Sequence, residues 1–353
     1  TIAVLRSNPS VCFSNTPKYD DIFNRLPPNV QWNEQQIDLI RSEAAKIPRE
    51  LEEARKLKHM PYGRFPASYT DDFVSMEYRH QMRARVLSDW LELDAFLRVQ
   101  ENESGAALNA CRALIHVGRS MGDEPGVSFL VRIVYQSHVG NTLERVLAQS
   151  EPTEDDLKTI QDTLELEMKE CSWLTAMRGQ RAGYHHLFEN IRNGKVNSAE
   201  LSAIRMRTGA PPNPVSDWIM DRFPCTALKH YAEGLQYMNR VVKSAKLMRP
   251  ERVAKMEELE EEAKNSNNPV VRIFGTDVAR THRAEWRGHA ILAGTTTALA
   301  CERYRLKHAA WPSSLDVLVK DGLLAETPID PVDGEPLRYR PTPVGVVIYS
   351  IGA

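Results

Sequence analysis

No run of about 18 apolar residues occurs anywhere in this chain, so no segment of it is written to cross a bilayer as a helix. No basic block occurs either. The 45 Lys and Arg and the 47 Asp and Glu are interspersed and leave a net charge of −2. Nothing in that balance would neutralise a phosphate backbone, which argues against a nucleic-acid partner. Cysteine is scarce: Cys12, Cys111, Cys171, Cys225 and Cys301 lie far apart, with no Cys-x-x-Cys pair. An odd count at wide spacing speaks against a disulfide framework and against a zinc site. Also missing are the Gly-x-Ser-x-Gly elbow, the His-Glu-x-x-His pair and a Gly-rich phosphate loop, Gly194-Lys195 being only a loop dipeptide. An enzymatic reading therefore has no local motif to rest on.

What the chain does have is helical periodicity over most of its 353 residues. At 42% hydrophobic and 26% charged it has the composition of a folded protein, and its length favours more than one domain. Residues 1–30 are rich in Pro, Asn and Ser and read as an irregular arm. Asn33 is placed to cap a helix carrying Ile37, Ile40, Ala44, Ile47 and Leu51, which Pro48 should kink or divide in two. Apolar steps of three and four predict a helix over 70–97 (Phe73 to Leu97) and another from Ser104 to Gly118. A third opens at Asp123-Glu124-Pro125 with Leu130, Val131, Val134, Val139, Leu143 and Leu147 as its buried face. Thr153 with Asp156 is a start signal for a fourth. Helix continues to Asn193, Gly209 to Pro214 breaks the chain, and residues 194–224 read as a strap anchored by Trp218, Ile219 and Phe223. Helices over 226–248 and 251–264 follow, then a long one over 270–307. These divisions suggest an arm (1–30), a helical domain (31–269), and a long helix leading into a terminal module (270–353).

Few residue sets could carry chemistry. Cys111 and Cys301 fall in apolar helical patterns and are expected as buried, inert thiols. The Arg79, Arg83 and Arg85 group reads as a solvated helix face. His185 and His186 are neighbours that point about 100° apart on a helix and cannot share one metal. His282, Glu285 and His289, at i, i+3 and i+7, do share a face, and such spacing occurs in bundle metal sites. A bundle site would also need matching carboxylate or His ligands from facing helices.

The last sixty residues are the most distinctive. The long helix runs through Tyr304 to Trp311-Pro312, followed by Leu315 and Leu318, the turn Pro328-Ile329-Asp330-Pro331, then Gly334-Glu335-Pro336-Leu337-Arg338-Tyr339 and Ile348-Tyr349-Ser350-Ile351-Gly352. Proline, Asp-Pro and Asp-Gly punctuation predicts a short helix and then a hairpin packed on the long helix. This order resembles the C-terminal part of the major pseudopilin of type II secretion systems, over residues 290–353. The resemblance implies an extracytoplasmic setting, periplasmic or envelope-anchored. It also makes Asp330 and Asp333 calcium candidates, although the family's acidic stretch after the final strand has no counterpart before Ala353. In place of the family's membrane-inserted helix stand some 270 helical residues, so a filament subunit is not expected. The chain opens on Thr1 rather than Met, which fits a processed or trimmed protein whose membrane link would lie in an N-terminal segment absent here.

The sequence thus predicts a mainly α protein, with a multi-helix bundle or α-solenoid-like body closed by a small α+β, pseudopilin-like module. The expected role is a non-enzymatic scaffold with protein partners and no cofactor except calcium. The alternatives are a hydrolase with its site in an inter-helical groove, or an accessory of a secretion or pilus-like apparatus.

Overall fold

In the computed structural model the described residues are 27–65, 70, 71, 73, 79–122, 126–170, 173–196, 224–247, 249–343 and 345–352. The protein is mainly α, with one two-stranded hairpin near the C-terminus. The helices are α1 (Glu34–Ala44), α2 (Pro48–Arg55), α3 (Arg79–Gln100), α4 (Ser104–Arg119), α5 (Gly126–Gln149), α6 (Glu154–Glu170) and α7 (Trp173–Arg192). After these come α8 (Pro224–Ser244), α9 (Arg249–Asn265), α10 (Pro269–His308) and α11 (Leu315–Lys320), then β1 (Arg338–Thr342) and β2 (Gly345–Tyr349). Of the expected arm only residues 27–30 are described. Trp218, Ile219 and Phe223 of the expected strap, the Asp123-Glu124-Pro125 start signal, Cys12 and Cys171 lie outside the described residues.

Local chemistry sets the ends of these elements. Asn33 accepts from the Gln36 amide at 2.9 Å while the Gln36 side chain accepts from the Asn33 amide at 3.0 Å, a reciprocal cap on α1. Pro48 stands at the first position of α2, so the predicted division falls where an N–H is dispensable. The Thr153 hydroxyl accepts from the Asp156 amide at 3.2 Å and starts α6. Asn268 does the same for α10, accepting from Val270 and Val271.

Three expectations need correcting. The helix expected from Thr70 is described over Arg79–Gln100 and does not include Phe73, which adopts φ +57° in a turn bonded to the Thr70 carbonyl. Its ring then packs edge-on to Tyr184 and fills the space over Gly183, where a Cβ would lie 2.1 Å from it. Val134 is not on the buried face of α5 but 52% exposed; Phe129, Ile133, Val139, Leu143 and Val146 are the buried positions. Trp311-Pro312 does not end α10. The helix stops three residues earlier, at His308, where Ala309 takes the left-handed conformation.

α10 organises the whole molecule. At 40 residues it is about 60 Å long, and three separate apolar clusters are strung along it. The first joins α1 to α6 around Trp90, Leu114, Leu143 and Leu164 and takes in Leu292 and Leu299 of α10. The second joins α7, α8 and α9 around Trp173, Tyr237, Met238 and Leu259 and takes in Val270, Val271, Phe274 and Val278. The third closes the C-terminus, with Ala300 and Cys301 against Leu315, Leu318, Leu323 and Leu337. Cys111 and Cys301 are both free and fully buried, as their apolar surroundings implied.

β1 and β2 pair antiparallel from Arg338↔Tyr349 to Thr342↔Gly345. Tyr339, Val346 and Ile348 face the third cluster, and the Tyr339 hydroxyl donates to the Pro312 carbonyl at 2.6 Å. Arg340, Val347 and Tyr349 face outward.

Candidate functional site

The richest polar arrangement lies between α3 and α5. Arg85, Ser88, Asp89 and Glu92 recur at three- and four-residue steps on α3, and Tyr135, His138, Thr142 and Arg145 do so on α5. The two rows meet. The Thr142 hydroxyl lies 3.2 Å from Glu92 Oε1 and also donates to the His138 carbonyl at 2.8 Å, and the Tyr135 hydroxyl donates to the Gln81 carbonyl at 3.3 Å. Burial pushes the Glu92 carboxyl up to about 7, the neighbouring Asp89 charge adds to the rise, and Thr142 and Arg145 oppose it. Burial and then the Arg85 guanidinium lower His138, while burial and then Asp89 raise the Tyr135 phenol. The seam is therefore a carboxyl group of raised proton affinity, Glu92, next to the Asp89 carboxyl, with an imidazole held toward its neutral form and a hydroxyl beside them. Such an arrangement can hold and exchange one proton near neutrality.

A second buried polar centre lies on the other side of α5. Glu167 of α6 accepts from Arg132 Nε and Nη2 at 2.8 Å each and from Gln136 at 2.9 Å. Arg119 Nε stands 3.5 Å from the same carboxylate and also pairs with Glu170. A cavity of about 10 Å³, the size of one water, opens against Glu167 and Gln136 beside Tyr135, Val139, Leu164 and Leu292. This centre is an ion network built around Glu167, in which Arg119 Nη1 is buried without a partner among the described residues.

The structure separates the three helix-face residues of α10. Glu285 is bound by Arg252 of α9, whose Nη2 lies 2.8 and 3.1 Å from its two oxygens, and His289 stands 3.6 Å from Glu285 Oε1. A guanidinium thus occupies the position from which a cation would have to approach Glu285. His282 turns instead between the Trp173 and Trp286 rings, 4.9 and 4.6 Å away, and burial followed by the Arg252 charge lowers it to about 3. Among the described residues no group of three or more His, Cys, Asp or Glu is gathered as a metal would need.

Asp330 is wholly buried and acts as a fastener. Its carboxylate accepts from the Val332 amide (3.0 Å), the Ser350 hydroxyl (2.9 Å), the Ile351 amide (2.9 Å) and Arg338 (3.4 Å). This is the Asp-Pro turn role expected of it, extended to clamp Ser350 and Ile351 just after β2. Asp333 pairs with Arg338, whose guanidinium lowers its carboxyl below the usual range.

Sequence reasoning missed the α3–α5 seam. Its signal was present as a polar three-four row inside each of two mostly buried helices. The arginines singled out as a solvated face include Arg85, which is exposed at the rim of that seam.

Comparison with family models, with curated proteins and with solved structures yields no match. The molecule's own geometry is then the guide to its function.

Proposed function

We propose that the protein is a non-enzymatic scaffold of the bacterial cell envelope that binds a protein partner through its C-terminal module. The observation that carries this is the second strand, β2. It bears no charge and no proline, and Val347 and Tyr349 stand exposed along one side of it; Ile351, two residues past its end, and Ile329, next to the Asp330 clamp in sequence, are exposed too. A two-residue connection pairs Thr342 with Gly345, so Arg340–Val347 and Arg338–Tyr349 fall in the hydrogen-bonded class and Val346 and Ile348 direct their peptide groups away from β1. Strands are normally blunted by charge or proline at such an edge, as Pro341 does on β1. The reading is strand addition by an uncharged extended segment of a partner, with main-chain bonds supplying affinity and Val347 and Tyr349 supplying side-chain contacts. Placement in the envelope is supported by the resemblance of residues 290–353 to the pseudopilin C-terminus.

The test is site-specific photo-crosslinking from position 349 in cells making the full gene product, followed by fractionation. A discrete crosslinked protein, lost in Val347→Lys and recovered with the envelope, is expected. Crosslinks unaffected by Val347→Lys would refute the strand reading, and a cytoplasmic location would refute the envelope reading.

A second reading, a hydrolase working from the α3–α5 seam, is favoured by one observation, the Glu92 carboxyl titrating near neutrality beside Asp89. A hydrolase screen on the wild type, with Glu92→Gln as control, decides it. Activity abolished by Glu92→Gln would displace the scaffold.

A further inference from the structure

Residues 27–32 lie as a strap across the end of α5. Arg145 Nη1 donates to the Val30 carbonyl at 3.1 Å and Nη2 to the Pro27 carbonyl at 3.3 Å. Gln149 Nε2 reaches the Pro28 and Val30 carbonyls at 2.5 and 3.1 Å, and the Val30 amide folds back on the Pro27 carbonyl at 3.0 Å. Trp32 seals the strap, edge-on to Phe96 at 5.2 Å, with the Arg145 guanidinium over both rings at 5.5 and 5.6 Å. Arg145 is thus the bolt of this contact, and it is only 7% exposed. The same guanidinium belongs to the seam, where it interacts electrostatically with Glu92.

We propose that the α3–α5 seam is a proton-controlled latch on this strap: with Glu92 protonated, Arg145 holds the Pro27 and Val30 carbonyls, and with Glu92 ionised the carboxylate draws Arg145 toward the seam and the strap loosens. The groups around Glu92 fit this reading. On α3 itself Asp89 is the second acid; from α5 come Thr142 and Arg145, with Glu144 acting on Arg145; from α4 comes only the buried Cys111 thiol. α2 sends Arg55 to Asp94 instead and leaves Arg49 exposed, and α1 turns Ile37 and Ile40 to the core. Arg145 is therefore the cation that a newly formed Glu92 carboxylate can recruit, and recruiting it competes with neutral carbonyl acceptors, which are the weaker partners for a guanidinium. The proton affinity of Glu92, near 7, puts the change within the range a cell envelope or cytoplasm visits.

The latch is tested by hydrogen exchange of the Val30 amide, which donates to the Pro27 carbonyl, in the full chain at about pH 6 and about pH 8, corrected for intrinsic rates. Exchange several-fold faster at the higher pH is expected in the wild type. Glu92→Gln should stay protected at both, and Asp89→Asn, which removes the charge that raises Glu92, should move the midpoint to lower pH. Equal protection at the two pH values, faster exchange at the lower one, or a slope that survives Glu92→Gln would overturn the proposal. Should Glu92→Gln fail to fold, the midpoint in Asp89→Asn decides alone, because a merely structural role for the strap gives it no reason to shift.

Discussion

Glu167 shows how a single side chain can be indispensable without being catalytic. It is 2% exposed and holds two arginines and a glutamine, so removing it strands buried guanidinium groups rather than merely losing one contact. Glu167→Ala should cost about 3–5 kcal/mol in urea unfolding, whereas replacing Arg132, Gln136 and Glu167 together by apolar residues should cost much less. Glu92 and His282 make a second residue-scale prediction with opposite signs. The Glu92 carboxyl is raised in the fold, so its contribution is complete below its unfolded value and is lost as pH climbs to about 7. Its size is on the order of 3 kcal/mol. The His282 imidazole is lowered, so its contribution is complete above the unfolded value and is lost as pH falls toward 3. Urea midpoints across pH should therefore flatten on the neutral side in Glu92→Gln and on the acid side in His282→Phe. The sequence carried these residues in plain sight but not their partners. Spacing put His282, Glu285 and His289 on one face of a helix, but nothing local says that Arg252, thirty-three residues before Glu285, will take that carboxylate.

At the scale of elements the periodic signal was nearly sufficient. Asn33, Pro48 and Thr153 placed three helix starts because caps and prolines act over three or four residues. The signal failed where a distant partner overrides local preference, as at Phe73, pulled out of helix to lie on Gly183 and Tyr184. Close helix contacts were equally invisible. Gly275 of α10 meets α9 so tightly that an added Cβ would stand 2.1 Å from the Ala263 Cβ, an atom that no side-chain rotation can move away. Gly275→Ala should lower stability by about 1–3 kcal/mol, and Ala263→Gly should restore part of the loss in a double-mutant measurement. The hairpin offers a separable test. Asp330→Ala removes four acceptor contacts that tie residues 332, 338, 350 and 351 together. Amides of 345–352 should then exchange much faster while those of α3 to α6 keep their protection, because the apolar cluster under the hairpin rests on α10, and the Gln161 side chain that bonds the Leu323 carbonyl at 2.8 Å ties α6 to a part of the module outside the hairpin.

At the scale of the whole molecule the described residues form three apolar clusters on one helix, and this was legible only in part. A mainly α body and a terminal hairpin followed from periodicity and turn residues. That the last long helix would run from the second cluster past the first into the third did not, since its Val270, Leu292 and Cys301 look alike as apolar helical positions. The arrangement gives α10 a mechanical meaning. Its backbone is one unbroken ladder from Pro269 to His308, and the hairpin grips its far end. A pull on β2 would therefore load a strut, and the strain would reach the aromatic box of Trp173, His282 and Trp286 without crossing a loop.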